Sequence, residues 1–84
     1  MRTKGRKPIA RLALEQALTE AIKTSHPSCD GFVKVIVERI APGSPEAANW
    51  GVMGVKYGTA NRELCDAALL KSVNERLDKL ELSD

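Results

Sequence analysis

Apolar residues alternate with other side chains through residues 32–40 and again through 50–57, and residues 41–49, rich in Pro, Gly and Ala, join the two runs. A period of two on each side of such a loop predicts an antiparallel β-hairpin. Setting Ile40 against Trp50 pairs Val37 with Met53, Val35 with Val55, and Val33 with Tyr57. One face then carries Val33, Val35, Val37, Met53, Val55 and Tyr57, and it is almost purely apolar. The other carries Phe32, Lys34, Ile36, Glu38 and Ile40 against Trp50, Val52, Gly54 and Lys56. Side chains change face at every residue, so the valine set marks the core side. The parity is specified by this argument; the register is not, because a slip of two residues keeps the same faces.

Helical spacing flanks the hairpin. Ile9, Ala10, Ala13, Leu14, Ala17, Leu18, Ala21 and Ile22 recur at i, i+3, i+4 and form one wide apolar stripe, with Pro8 placed at the first turn of the helix. Arg11, Glu15, Gln16, Thr19, Glu20 and Lys23 fall off this stripe, and Arg11 and Glu15 form an i, i+4 pair of opposite charge. The helix is expected to stop before Ser25-His26-Pro27, since the residue preceding proline is pushed out of the α region. A second helix starts near Thr59 and buries Leu64, Cys65, Ala68, Leu69, Val73, Leu77 and Leu80, leaving residues 78–84 as an acidic, fraying end. The fold class predicted is α+β: one small α-β-β-α domain over residues 8–84, an antiparallel hairpin with both helices packed on its valine face.

The chain has 84 residues, a length that buries only about 60% of its unfolded surface, so a second copy would add to its stability. Net charge is +2, but its distribution is uneven. Arg2, Lys4, Arg6, Lys7 and Arg11 fall within the first eleven residues with no acidic residue among them, whereas the remainder has eight basic and eleven acidic residues. Residues 1–7 therefore read as a flexible basic arm on a mildly acidic body. Lys4-Gly5-Arg6-Lys7-Pro8 resembles the Gly-Arg-Pro core of AT-hook arms, with Lys7 interrupting the motif.

The outer face is the sharpest functional feature. Phe32, Ile36, Ile40, Trp50 and Val52 are too many large apolar groups to leave in water, and they mark a partner interface, most simply a homodimer with Trp50 as its anchor. The alternative is a nucleic-acid face: Trp50 and Phe32 as stacking plates, with Lys34, Lys56 and the arm residues Arg2, Lys4, Arg6 and Lys7 on phosphates.

Chemistry has less to stand on. His26, Cys29 and Asp30 have half-site spacing and Cys65 is the single further soft ligand, so no metal and no cofactor is expected. There is one histidine, no nucleophile elbow and no phosphate loop, so catalytic residues are assigned to none and an enzyme is not expected. No run is long enough for a membrane span or a signal segment, and the two cysteines form no Cys-x-x-Cys pair. A cytoplasmic protein with reduced thiols is expected, with no small-molecule substrate evident.

Asn49-Trp50 followed by Gly54-Val55-Lys56-Tyr57-Gly58 resembles a family of small bacterial proteins in which a Trp-led strand precedes a closing helix. That resemblance spans about residues 30–80 and implies no activity, so it transfers no functional residue. The element order is also similar to the double-stranded-RNA-binding fold, but a third strand and a basic start to the last helix are missing: Arg62 is followed by Glu63 and Asp66. The expectation reached from the residues is a small non-enzymatic interaction module, homodimeric, with nucleic-acid binding as its alternative.

Overall fold

The computed structural model describes residues 6–43 and 47–83. Within them the chain forms β1 (Lys7–Ile9), α1 (Arg11–Lys23), a single 3₁₀ turn (Pro27–Cys29), β2 (Lys34–Arg39), β3 (Trp50–Lys56), α2 (Arg62–Leu77) and β4 (Leu80–Leu82). Two helices and a two-stranded antiparallel sheet, β2–β3, form the α+β body. Two short strands were not expected: β1 and β4 pair in parallel, Lys7 with Leu80 and Ile9 with Leu82.

Leu14, Leu18 and Ile22 recur every fourth residue on α1 and are buried, as the apolar stripe requires. The helix begins at Arg11 rather than at Pro8, which belongs to β1. Its end is made by hydroxyls that turn back onto the last turn, Thr24 Oγ1 donating to Glu20 O at 2.8 Å and Ser25 Oγ to Ile22 O at 2.7 Å. His26 caps the following 3₁₀ turn, its Nδ1 accepting from the Ser28 N–H at 3.0 Å, with Pro27 in the position that needs no donor. α2 is capped by Asn61 rather than Thr59: Asn61 Oδ1 accepts from the Leu64 N–H at 3.0 Å.

The hairpin register agrees with the expected pairing from Lys34–Lys56 through Ile36–Gly54, then shifts. Ile36 pairs with Gly54 but Val37 pairs with Val52, so Met53 is the extra residue of a β-bulge. One extra residue reverses the parity of everything before it. Trp50 and Val52 therefore join Val35, Val37 and Val55 on the helix side, while Met53 points out at 60% exposure. Trp50 is 1% exposed, so the outer-face placement of Trp50 and Val52 is corrected. Phe32 is corrected too: it precedes the strand, is 2% exposed, and meets Tyr57 edge-on at 6.1 Å between ring centroids. Val33 and Met53, expected on the core face, are exposed. Ile36 and Ile40 do lie outside, their Cδ1 atoms over the open positions of Gly54 and Gly51.

The core is Leu14, Leu18, Ile22, Cys29, Phe32, Val35, Val37, Trp50, Cys65 and Leu82. Val35 is completely buried, and Val35→Ala is expected to cost about 1–3 kcal/mol through lost burial and a residual cavity. A urea midpoint that does not move would place the core elsewhere.

The expected fraying end is instead docked, and the Asn49-Trp50 dipeptide does it. Trp50 Nε1 donates to Leu80 O at 3.1 Å, Asn49 Nδ2 donates to Leu82 O at 3.0 Å, and Asn49 Oδ1 accepts from the Leu82 N–H at 2.8 Å. On its other side β4 bonds to β1: Lys7 N–H donates to Lys79 O at 2.8 Å and Ser83 N–H to Ile9 O at 2.9 Å. Alternate residues of a strand direct their polar groups to opposite edges, so β4 is satisfied on both sides, by backbone on one and by two side chains on the other.

Arg2 and Lys4 lie outside the described residues. The last part of the basic arm is not free, because Lys7 sits in β1 and Arg6 Nε donates to Leu77 O at 3.0 Å.

Candidate functional site

The two edges of the β2–β3 sheet differ. The N–H groups of Val35 and Val37 point away from β3, and α1 meets both: Thr19 Oγ1 accepts from Val35 at 3.1 Å and Glu15 Oε2 from Val37 at 2.8 Å. Four residues along a helix rise about 6.0 Å and two along a strand about 6.7 Å, so an i, i+4 pair on α1 matches alternate donors on β2. Thr19 is itself held by donating to Glu15 O at 2.7 Å. Glu15 and Thr19, read from sequence as lying off the apolar stripe, thus close this edge as an added strand would. Their i, i+4 spacing beside the apolar stripe is the signal that sequence reasoning passed over.

The other edge, along β3, meets no strand among the described residues. Val55 opposes Val35, and Trp50 opposes Arg39. Since the Val35 N–H points outward, the Val35–Val55 pair is non-hydrogen-bonded, and the backbone groups of Val55 point to the free edge. Ile40 N–H bonds to Asn49 O at 2.9 Å, so the alternating Arg39–Trp50 pair also leaves the Trp50 backbone facing outward.

Beside this edge, α2 and β3 enclose a groove of about 440 Å³ lined by Val52, Leu69, Leu70 and Val73, with Asp66 at one end. Leu70 is 64% exposed there. At the Asp66 end, the Tyr57 hydroxyl donates a short hydrogen bond to Asp66 Oδ1, and the Arg62 guanidinium lies 4.7 Å from the Tyr57 ring centroid. The hydrogen bond to Asp66 and, secondarily, burial push the Tyr57 phenol above its ordinary value. A second groove, of about 460 Å³, runs between α1 and β2 past Leu12, Gln16, Glu20 and Lys34, but the edge donors beneath it are already taken by Glu15 and Thr19.

Of the residues expected to form a partner face, Phe32 and Trp50 are core, Val52 lines the β3 groove, and Ile36 and Ile40 remain on the outer sheet face. Lys34 and Lys56 do stand opposite one another, as they do when Ile40 is set against Trp50. They have neither aromatic beside them, since Phe32 and Trp50 are turned to the helix side.

The metal-spacing residues take other roles. His26 is a capping acceptor, Asp30 is exposed, and Cys29 and Cys65 are buried side by side, as free thiols. Among the described residues no three His, Cys, Asp or Glu side chains gather where they could hold a metal ion, and no helix is long and apolar enough to cross a membrane.

Burial and the adjacent Cys29 push the Cys65 thiol up from about 9.0 to about 11. Only the thiolate attacks, so a thiol reagent at neutral pH is expected to react with Cys65 slowly, at the pace of opening. The same shift makes stability pH-dependent. The folded thiol stays protonated where the unfolded one ionises, so stability is intact below about pH 9 and falls as pH rises through about 11. Cys65→Ala is expected to flatten that alkaline fall, the residue of it belonging to Tyr57. An unchanged slope in denaturant titrations across this window would refute the assignment.

Comparison of the chain with family models, with curated proteins and with solved structures gives no match.

Proposed function

We propose that this chain is a small non-enzymatic interaction module whose working surface is the free edge of β3 together with the apolar groove under α2. The carrying observation is the asymmetry of the sheet: α1 closes the β2 edge with side-chain acceptors, while the β3 edge keeps outward backbone groups beside Val52, Leu69, Leu70 and Val73. An extended partner segment adds main-chain bonds at such an edge and places alternate side chains in the neighbouring groove. The non-enzymatic part of the reading is supported by the state of the reactive groups: the histidine nitrogen is engaged as a cap, and the Cys65 thiol is buried and held protonated.

A second reading, nucleic-acid binding, is favoured by one observation, the facing pair Lys34 and Lys56 on the outer sheet surface. The two are separated by titrating the isotopically labelled full chain at low concentration, in one arm with short peptides of alternating apolar residues and in the other with a single-stranded oligonucleotide. Amide shifts confined to residues 50–56 and 69–73 with peptide are expected. Salt-sensitive shifts centred on Lys34 and Lys56 with oligonucleotide, and none with peptide, would replace the first reading by the second.

A further inference from the structure

We infer that the occupant of the β3 edge is a second copy of this chain, paired antiparallel through β3 about a two-fold axis between Val52 and Met53. The inference rests on the interaction reading above and names its partner. The bulge is what makes the strand self-complementary. The outward backbone groups belong to Trp50 and Val52 before the bulge and to Val55 after it; an unbroken strand would direct Val55 to the opposite edge, because it lies an odd number of residues from each of the other two. An axis between Val52 and Met53 sets Trp50 against the partner's Val55 and Val55 against the partner's Trp50. Each such pair exchanges both of its backbone hydrogen bonds.

The same axis sets Gly51 against the partner's Gly54, where no side chain obstructs the approach of two backbones. It sets Lys56, the one charge on β3, against the partner's Asn49, and so separates the two lysines by about 24 Å at the rise of an antiparallel strand. A parallel, in-register pairing would stack Lys56 on Lys56, which is unfavourable. From Trp50 to Val55 the strand has no charge and no proline, the usual devices that keep an edge from pairing. The pairing also brings the two α2 grooves together over one four-stranded sheet. That covers Leu70, which is 64% exposed in the single chain.

Sedimentation velocity of the full chain over a concentration series tests the inference. Dimer is expected to form with rising concentration in the micromolar range. Leu70→Lys, a change at an exposed position that leaves the core untouched, is expected to weaken association by about tenfold or more, and Leu12→Lys, on the opposite groove, to leave it unchanged. Val55→Pro removes an outward N–H without touching the β2 ladder and is expected to act like Leu70→Lys. Spin labels introduced at Met53→Cys are expected to lie within about 10 Å of each other, and labels at Lys56→Cys about 24 Å apart. A dimer with the Lys56 labels close together, or one indifferent to Leu70→Lys, would overturn the pairing. A monomer at every concentration that still shows peptide shifts along β3 would overturn the second copy and leave the interaction reading standing. A monomer with no peptide response would sink both.

Discussion

Replacing Trp50 with alanine is expected to cost about 3–5 kcal/mol, a large fraction of the stability of a small domain, and to release β4. The indole is the largest fully buried side chain of the core, and its Nε1–H is the donor to Leu80 O at 3.1 Å. Alanine removes both the volume and the bond, so amide exchange at Leu80–Leu82 and at Lys7–Ile9 should accelerate together, because β1 pairs with β4. Trp50→Phe separates the two contributions. It refills much of the volume but leaves the Leu80 carbonyl without its donor, and about 1–3 kcal/mol of loss is expected. If Trp50→Ala melts like the parent chain, the indole faces solvent and the bulge is misplaced.

Gly58→Ala should lower stability by about 2–3 kcal/mol. Gly58 has φ 59°, a left-handed backbone that only glycine adopts at little cost, and an added Cβ would sit 2.5 Å from Gly31 O and 2.8 Å from Val33 Cγ2. The first of these atoms is backbone, which cannot rotate aside. At this crossing, the loop leaving the 3₁₀ turn passes directly under the one entering α2, and Asn61 N–H adds a bond to Ser28 O at 3.0 Å. Gly43→Ala is the control: nothing lies within 4 Å of its added carbon, and the change should stay within about 0.5 kcal/mol. Denaturant midpoints measure both, provided the slopes agree. Equal effects at Gly58 and Gly43 would mean that the loop crossing is not tight.

The candidate site shows where reading from residues stopped. Leu69 and Val73 were legible as part of the apolar stripe of α2, because helical spacing alone places them. Val52 was assigned to the wrong face, and with it Trp50, because strict alternation has no place for an extra residue. The clue was present: the two glycines of the strand, Gly51 and Gly54, stand three apart, with Val52 and Met53 adjacent between them. A step of three within a period of two is what a bulge leaves in a sequence.

By itself the sequence determined what local periodicity and turn chemistry can specify: two amphipathic helices, a hairpin between them and the stop before Pro27. These depend on neighbours within a turn or a pleat. The rest was decided between residues far apart in the chain. β4 is three residues long and has no strand-forming run of its own; it exists because β1, Asn49 and Trp50 take up its backbone groups. Which sheet edge stays open among the described residues was settled in the same way, by Glu15 and Thr19 reaching β2 across the fold, while α2 lines the groove beside β3 with Leu69, Leu70 and Val73. Such choices turn on whether buried backbone polar groups find acceptors in three dimensions, and a one-dimensional pattern of apolar and polar residues does not carry that count.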